Sequence, residues 1–331
     1  MLQDPRLEQL RHWLLEDLNM RDIQIEPASA DASFRRYFRI SHADQTWIAM
    51  DAPPDKEDCA AFVHVAQMIE AIGVQAPHIY HYDAEQGFML LSDLGSTAYL
   101  RQLDERQADG LYKDAIDAII KMQTLSNGLP AYDTALLNSE MQLFSDWYLA
   151  KHLGIELSLA QQKTLSSTFD SLRHNAQCQP QVFVHRDYHS RNLMITNKDN
   201  PGVIDFQDAM VGPISYDLVS LLKDCYIAWP REKTLNWLDY FMQRSSLCQT
   251  IPREQFIHWF DLMGMQRHLK AIGIFARLNH RDGKPGYLDD IPRTLTYVID
   301  CCQRYDELQA MAELIEQLEP AGDPATLELI Q

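Results

Sequence analysis

The sequence predicts an α+β protein with a small antiparallel β-rich part followed by a larger, mainly helical part. Between residues 22 and 91, short runs rich in β-branched and aromatic residues are separated by Gly, Pro and polar turns, which is typical of strands. From residue 96 onward, apolar residues recur mostly at helical spacing. The 331 residues are enough for two domains, so we place boundaries at 1–91, 92–95 and 96–331.

The first part begins with a helix over residues 6–18, where the leucines lie on one face. Strand patterns over 23–25, 37–40 and 46–50 predict a three-stranded antiparallel meander, which Pro53 and Pro54 end. Residues 59–72 predict a helix closed by Gly73, and residues 79–91 predict two further strands around a turn at Asp83–Gly87.

The second part is predicted to be helical except for two short strands. The predicted helices cover roughly 104–126, 139–152, 159–176, 214–228, 231–245, 254–280 and 290–318.

Composition and charge exclude several classes of protein. The net charge of −18 disfavours non-specific nucleic-acid binding. The charged N-terminus lacks the apolar core of a signal peptide, and no run of eighteen apolar residues predicts a membrane span. Six cysteines without a C-x-x-C pattern predict reduced thiols. We therefore expect a cytoplasmic protein without membrane or nucleic-acid partners; the oligomeric state is not readable from the sequence, and a monomer is the default expectation.

The two short strands belong to the most informative segment, His185 to Asp208, which reads HRDYHSRNLMITNKDNPGVIDFQD. Apolar runs at 193–195 and 202–204 flank a polar turn, which predicts a hairpin. Asn192 and Asp205 then lie at one end of this hairpin, and Asp187 is five residues before Asn192.

This set of side chains matches the needs of phosphoryl transfer from ATP. One carboxylate orients or deprotonates the attacking hydroxyl, and an Asn/Asp pair holds Mg²⁺ against the phosphates. The order H-R-D-x-x-x-x-N followed by D-F is that of the catalytic and metal loops of kinases.

The loop H-x-D-x-H-x-x-N, with His189 where protein kinases usually have Lys, resembles the aminoglycoside phosphotransferase family of small-molecule kinases. Gly212-Pro213 followed by Asp217-Leu218 is similar to the same family, and the resemblance covers nearly the whole chain. It implies a two-lobed protein-kinase-like fold, with a nucleotide-binding lobe at 1–91, a hinge at 92–95 and a helical lobe at 96–331 that carries the catalytic loop and the acceptor site.

The resemblance also implies roles for individual residues. Asp187 is catalytic, and Asn192 and Asp205 bind Mg²⁺. The backbone of Ser92 and Leu94 holds the adenine of ATP. His185 supports the loop, and His189 either braces the loop or approaches the phosphates. Asp208 stabilises the loop or supports the metal ligands, while Asp217 caps or anchors its own helix.

The chain departs from the kinase pattern on the third strand. A Lys that contacts the phosphates and pairs with a Glu on the next helix is expected there, but Met50 and Phe62 occupy the two positions. The preceding turn offers Ser33, Arg35 and Arg36 for the nucleotide, and Arg36 is the first choice as the phosphate ligand. The alternative is that these arginines are ordinary solvent-exposed residues of the strand and bind no phosphate.

Four segments resemble the sugar kinases of peptidoglycan recycling, which phosphorylate the anomeric hydroxyl of N-acetylmuramate and N-acetylglucosamine. These segments are residues 32–39, 50–54, 273–278 and 281–285.

Residues 264–293 carry six cations against three carboxylates, which suits an anionic acceptor better than a polycationic drug. The candidate acceptor ligands are Arg267, Arg277, Arg281 and Lys284, with ordinary surface cations as the alternative reading. Rival functions are a kinase for aminoglycosides, choline or homoserine, and a non-catalytic nucleotide-binding module.

Overall fold

The structure is a computed structural model that describes residues 4–30, 34–125 and 128–318. The chain forms two compact units, Met1–Arg101 with Asn192–Asp208, and Gln102–Arg191 with Ala209–Gln331. Residues 192–208 group with the first unit because Val203 donates a backbone hydrogen bond to Gln75 and Ile195 donates one to Thr97. The domain boundaries predicted from the sequence had instead assigned these residues to the helical part, 96–331.

The first unit contains a five-stranded antiparallel sheet of order β1-β2-β3-β5-β4. Its strands are β1 (Gln24–Ala30), β2 (Arg36–His42), β3 (Gln45–Asp51), β4 (Ile79–Asp83) and β5 (Phe88–Ser92). The predicted meander and the later strand pair are both confirmed.

Helix α1 (Pro5–His12), capped by Asp4 and continued by a π-helical turn at Trp13–Asp17, covers one face of this sheet. Its apolar residues pack against Phe38, Ala49 and Leu90. Because side chains alternate along a strand, Tyr37 and Met50, which pair across β2 and β3, belong to the opposite face. Helix α2 (Cys59–Ala71) follows β3 and begins at the cap residue Asp58.

The second unit is helical, with eight helices in the described residues. They are α3 (Ala108–Met122), α4 (Thr134–Leu143), α5 (Leu159–Gln177), α6 (Tyr216–Leu222), α7 (Arg231–Arg244), α8 (Arg253–Asp282), α9 (Ile291–Arg304) and α10 (Gln309–Leu318). A π-helical segment, Phe144–His152, continues α4. The thirty-residue α8 packs against α4, α5, α6 and α9, so it is the central element of this unit.

The prediction of one helix over 290–318 is wrong. Tyr305 between α9 and α10 has extended backbone angles, and its hydroxyl donates a hydrogen bond of 2.7 Å to the buried Asp261. This contact favours the break because it holds the tyrosine off the helical path.

Four short strands lie between α5 and α6, namely β6 (Gln181–Val184), β7 (Leu193–Met194), β8 (Gly202–Val203) and β9 (Met210–Pro213). The predicted hairpin is the antiparallel pair β7–β8 of the first unit. The pair β6–β9 of the second unit was not predicted. No helix among the described residues is long and apolar enough to cross a membrane. All six cysteines are free thiols.

Candidate active site

The β7–β8 hairpin brings Asn192 and Asp205 together, as predicted. The Ile204 N–H donates to the Asn192 carbonyl at 3.1 Å, and the Asn192 amide donates to the Asp205 carboxylate at 3.1 Å. Asp205 itself has a φ of 65°, a left-handed conformation that is costly for a residue other than Gly. Such strain is found mainly where a side chain must be aimed at a ligand.

Neighbouring residues hold Asp205 in this conformation. The Gln207 amide donates to its carboxylate at 2.8 Å, and the Phe206 ring packs on Phe62 of α2 with centroids 4.8 Å apart. Asp208, predicted to support this loop, is exposed and makes no hydrogen bond or ion pair with any described residue. Gln207, and not Asp208, contacts Asp205 and supports the loop.

The donor set at this hairpin suits Mg²⁺. Carboxylate and amide oxygens are hard ligands, and Mg²⁺ in kinases takes one or two carboxylates and completes its shell with phosphate and water. No group of three or more His, Cys, Asp or Glu side chains in residues 4–30, 34–125 and 128–318 has the geometry of a self-sufficient metal site. Asn192 and Asp205 therefore fit a cation that is bound together with a nucleotide.

Asp187 lies in the second unit, in the loop that follows β6. Its N–H donates to the His185 ring at 3.3 Å, and its carbonyl accepts from the N–H of His189 at 3.0 Å. The buried His185 ring packs edge-on against Tyr188. These are the contacts of a residue that shapes the loop, which is the role predicted for His185.

The carboxyl group of Asp187 is surrounded by cationic side chains. Burial alone would raise its pKa, but Lys270, His189 and Arg267 together lower the pKa to about 2. Asp187 is therefore ionised at neutral pH and ready to accept a hydrogen bond from a hydroxyl group.

The loop is anchored by Asp217, which was expected to cap or anchor its own helix. Its carboxylate accepts hydrogen bonds from the N–H groups of His185 at 2.7 Å and Arg186 at 3.1 Å, while α6 has no side-chain cap. The expected role is therefore corrected. Arg186 has a φ of 77°, and the two bonds to Asp217 offset this strained conformation.

A buried polar network lies behind the loop. Glu140 of α4 pairs with Arg186, with Lys270 at 2.8 Å, and with the hydroxyl of Tyr132. Burial raises the pKa of Glu140, but Lys270 and Arg186 lower it overall, so the network holds an ionised carboxylate. Lys270 therefore has a fixed position between its partner Glu140 and the region of Asp187.

Asp224, which carries no motif and was missed in the sequence, holds the backbone that follows Asp187. Asp224 accepts from the Ser190 N–H at 2.9 Å and from the Tyr226 N–H at 2.9 Å. The Tyr226 ring is covered on its face by Arg191 at 3.5 Å and contacted edge-on by His189. Because Asp224 lies 34 residues after Ser190, no local pattern could have revealed it.

His189 is buried, and this burial lowers its pKa, although the carboxylates of Asp224 and Asp187 act in the opposite sense. Within the described chain, its Nδ1 atom is buried and has no hydrogen-bond partner. A buried polar atom without a hydrogen-bond partner costs free energy unless a bound ligand supplies the partner. His189 is therefore a candidate contact for the acceptor.

The four predicted acceptor cations differ in their surroundings. Arg281 is exposed and bonded to its neighbour Asp282 at 2.7 Å. Arg267 is buried, and its contacts among the described residues include Cys225 Sγ at 3.7 Å but no carboxylate within ion-pairing distance. Arg277 is half-buried with an unpartnered Nε in the same described set, and Lys284 is partly exposed. The Nε atom of Arg267 is buried and has no hydrogen-bond partner among the described residues, which favours Arg267 as a ligand contact.

The predicted adenine contacts lie at the end of β5. The Ser92 N–H already donates to the His78 carbonyl at 2.9 Å, so this N–H is not available to the base. Leu94 packs closely against Gly202 of β8. Arg39 of β2 holds the linker by hydrogen bonds to Asp93 at 2.7 and 3.0 Å.

The predicted phosphate ligands separate onto different faces of the sheet. Arg36 pairs with Asp51 and with Asp4, the cap residue of α1, on the face that α1 covers. Arg35 instead pairs with Glu57 at 2.7 Å. Ser33 lies outside the described residues.

Comparison with known proteins agrees with this geometry. A family model described as the phosphotransferase enzyme family matches residues 24–257. The chain belongs to this family. The phosphotransferase is 46% identical to an N-acetylmuramate/N-acetylglucosamine kinase of Pseudomonas aeruginosa, over 98% of the chain and 100% of the relative. A protein of the same name from Neisseria meningitidis is 41% identical, over 93% and 95%.

A solved choline kinase of Streptococcus pneumoniae has the same fold as the phosphotransferase. The TM-score is 0.62 at 9% sequence identity, over 89% of this chain and 99% of the other. The predicted kinase-like fold class, with an antiparallel sheet and a larger helical part, is thereby confirmed, as is the family resemblance.

Proposed function

We propose that the protein is an ATP-dependent sugar 1-kinase that phosphorylates the anomeric hydroxyl of N-acetylmuramate and N-acetylglucosamine in peptidoglycan recycling. The observation that carries this proposal is the relationship to kinases named for these two sugars, at 41–46% identity over more than nine-tenths of the chain. The residues needed for phosphoryl transfer, Asp187, Asn192 and Asp205, support it.

In the proposed reaction, Asp187 holds the anomeric hydroxyl by a hydrogen bond and accepts its proton as the new oxygen–phosphorus bond forms. The bond between the γ-phosphorus and the bridging oxygen breaks in line, so ADP leaves and the sugar 1-phosphate remains. An ionised, low-pKa carboxylate such as Asp187 acts mainly by orientation and takes the proton late.

Asn192 and Asp205 would hold Mg²⁺, which neutralises charge on the phosphates when it is bound. Replacement of Asp205 by Ala should abolish the part of the ATP-induced thermal shift that depends on Mg²⁺. An unchanged Mg²⁺ dependence would contradict the assignment.

Arg267 is the proposed partner of the lactyl carboxylate of N-acetylmuramate. An α-helix rises about 1.5 Å per residue, so Arg277, seven residues beyond Lys270, is displaced by roughly 10 Å along α8. That displacement is large compared with the distance from the anomeric oxygen to the lactyl group of one sugar. Arg267, three residues before Lys270, is better placed.

A comparison of the two sugars tests this assignment. Arg267→Gln should raise KM for N-acetylmuramate by about tenfold, the effect of one lost charged contact, and leave KM for N-acetylglucosamine nearly unchanged. Arg253→Gln, a change at an exposed arginine of the same helix that pairs with Asp239, is the matched control. An equal loss of turnover with both sugars would assign Arg267 to the transferring phosphoryl group instead.

The function itself is tested with N-acetylmuramate, N-acetylglucosamine, glucose, choline and kanamycin, with ADP release as the readout and NMR to locate the phosphate. We expect the two amino sugars to be phosphorylated at C1 and choline and kanamycin to be poor acceptors. Preferential turnover of choline or kanamycin would favour a rival kinase, and no turnover with any acceptor would favour a nucleotide-binding module.

A further inference from the structure

The first unit lacks the strand lysine and helix glutamate on which kinases commonly rely. Met50 of β3 and Phe62 of α2 occupy the two positions, and both side chains are buried among apolar neighbours. Neither side chain can contact a phosphate through a charge. Nucleotide phosphates nevertheless require a cation near the metal ligands.

Arg36 does not meet this requirement. Its guanidinium donates to Asp51 at 3.0 Å and also pairs with Asp4 on the face covered by α1. Asp51 is fully buried and is also bound by Arg6. Arg36 therefore belongs to the network that attaches α1 to the sheet, on the face opposite to Met50.

Arg35 lies on the other face. Tyr37 pairs with Met50 across the two strands, and alternation continued by two residues places Arg35 on the same face as both. Its guanidinium pairs with Glu57 at 2.7 Å, and the two side chains are only 9% and 10% exposed. Glu57 also accepts the N–H of Phe34 at 3.0 Å, so the carboxylate holds both the backbone at Phe34 and the guanidinium.

The pair belongs to the same unit as the metal ligands, and both adjoin helix α2, because the Phe62 ring of α2 packs on Phe206, the neighbour of Asp205, with centroids 4.8 Å apart. Burial would lower the pKa of Arg35, but Tyr37, Glu57 and Asp205 raise it overall. Glu57 directly precedes Asp58, the cap of α2, and is five residues before Phe62. Compared with the usual kinase pair, the cation has moved to the entry of β2 and the carboxylate to the start of α2.

We propose that Arg35 is the cation that binds the nucleotide phosphates, and that Glu57 is a positioning residue that holds its guanidinium. A guanidinium carries five N–H donors in a planar fork, a geometry that suits phosphate oxygens. The inference rests on the proposed kinase function, and it reverses the order of Arg36 and Arg35 expected from the sequence.

Binding of ATP, ADP and adenosine by calorimetry tests this proposal without any acceptor sugar. Arg35→Ala should weaken ATP and ADP binding by about tenfold or more, because a charge-assisted contact is lost, and should leave adenosine affinity within about twofold. Arg35→Lys should recover part of the loss. Arg21→Ala, which removes an exposed arginine of the same unit, is the matched control and should bind all three ligands as the wild type does.

Arg35→Ala alone leaves Glu57 without its counter-charge and can destabilise the fold. The double variant Arg35→Ala/Glu57→Gln removes this problem, and its ATP affinity should be no weaker than that of Arg35→Ala because Glu57 acts through Arg35. Glu57→Gln alone should weaken ATP and ADP binding less than Arg35→Ala does, and it should leave adenosine affinity nearly unchanged.

ATP binding by folded Arg35→Ala/Glu57→Gln at wild-type affinity would overturn the proposal, as would an equal loss for adenosine. A wild-type protein that binds ATP through Arg35 but phosphorylates no amino sugar would refute only the proposed function.

Discussion

At the residue scale, the proposed chemistry depends on one carboxylate, Asp187, whose ionisation is set by its neighbours. Asp187 is held ionised by Lys270 and Arg267, and Lys270 is itself held by Glu140. The same cations that keep Asp187 ionised also weaken it as a base, so in the proposed reaction its main contribution would be to orient the attacking hydroxyl.

Asp187→Asn should lower turnover by about 10²-fold or more, since the amide cannot accept the proton. Turnover is measured by ADP release at saturating ATP and sugar. Asp170→Asn, a change at an exposed position of α5, should have no effect. Activity of Asp187→Asn near the wild-type level, with intact folding, would contradict the assigned role.

The low pKa of Asp187 predicts how activity and stability depend on pH. Because the pKa is lowered from 3.8 to about 2, the stabilisation from this group is present above pH ~4 and is lost as the pH falls through about 2. A profile of kcat/KM between pH 5 and 8 should contain no inflection from Asp187. An inflection in that range that moves in Asp187→Glu would show that the carboxylate titrates there.

At the element scale, helix α8 approaches the junction of α4 and its π-helical continuation so closely that only Gly fits. A Cβ atom on Gly273 would clash with the backbone of Leu143 and would lie 2.6 Å from the Phe144 nitrogen. This contact joins the helix that carries Arg267 and Lys270 to the helix that carries Glu140.

Gly273→Ala should destabilise the protein by about 1–3 kcal/mol, the usual range for overpacking, because backbone atoms must move apart. Gly110→Ala is the matched control, since Gly110 lies in α3 with nothing near the added methyl group. The control should be neutral or stabilising by about 0.5–1 kcal/mol. Urea unfolding of both variants measures the difference, and equal stabilities would refute the close approach.

The sequence predicted elements and motifs whose signals are local. The hairpin followed from two apolar runs around a polar turn, and this alone brought Asn192 to Asp205. The sequence favoured Arg36 over Arg35 as the phosphate ligand, and we propose the reverse order because it depends on which sheet face α1 covers. Asp224 and Glu140 act on residues far along the chain, so nothing in their own neighbourhood marked them.

At the scale of the whole molecule, the reactivity of the six cysteine thiols depends on which of them the fold buries. All are free, and Cys178 alone is exposed, whereas Cys59, Cys225, Cys248, Cys301 and Cys302 are buried. Burial raises the pKa of Cys301 and Cys302 to about 12, which makes them still less reactive.

The native protein should therefore react quickly with about one equivalent of a thiol reagent and with six equivalents after unfolding. Absorbance of the released thiolate gives the count. Cys178→Ser should abolish the fast phase. Several fast-reacting thiols in the native protein would show that the core is more open than described.

The ion pair between Arg186 and Glu140 indicates whether the protein needs a covalent modification to become active. Kinases that are switched on by phosphorylation acquire new arginine–phosphate pairs that order their loops. In this chain the arginine of the catalytic loop already has a permanent negative partner, Glu140, supplied by its own α4. We therefore expect the newly folded enzyme to be active without covalent modification, so that its output follows the supply of sugar and nucleotide, as in a metabolic enzyme and not a signalling one.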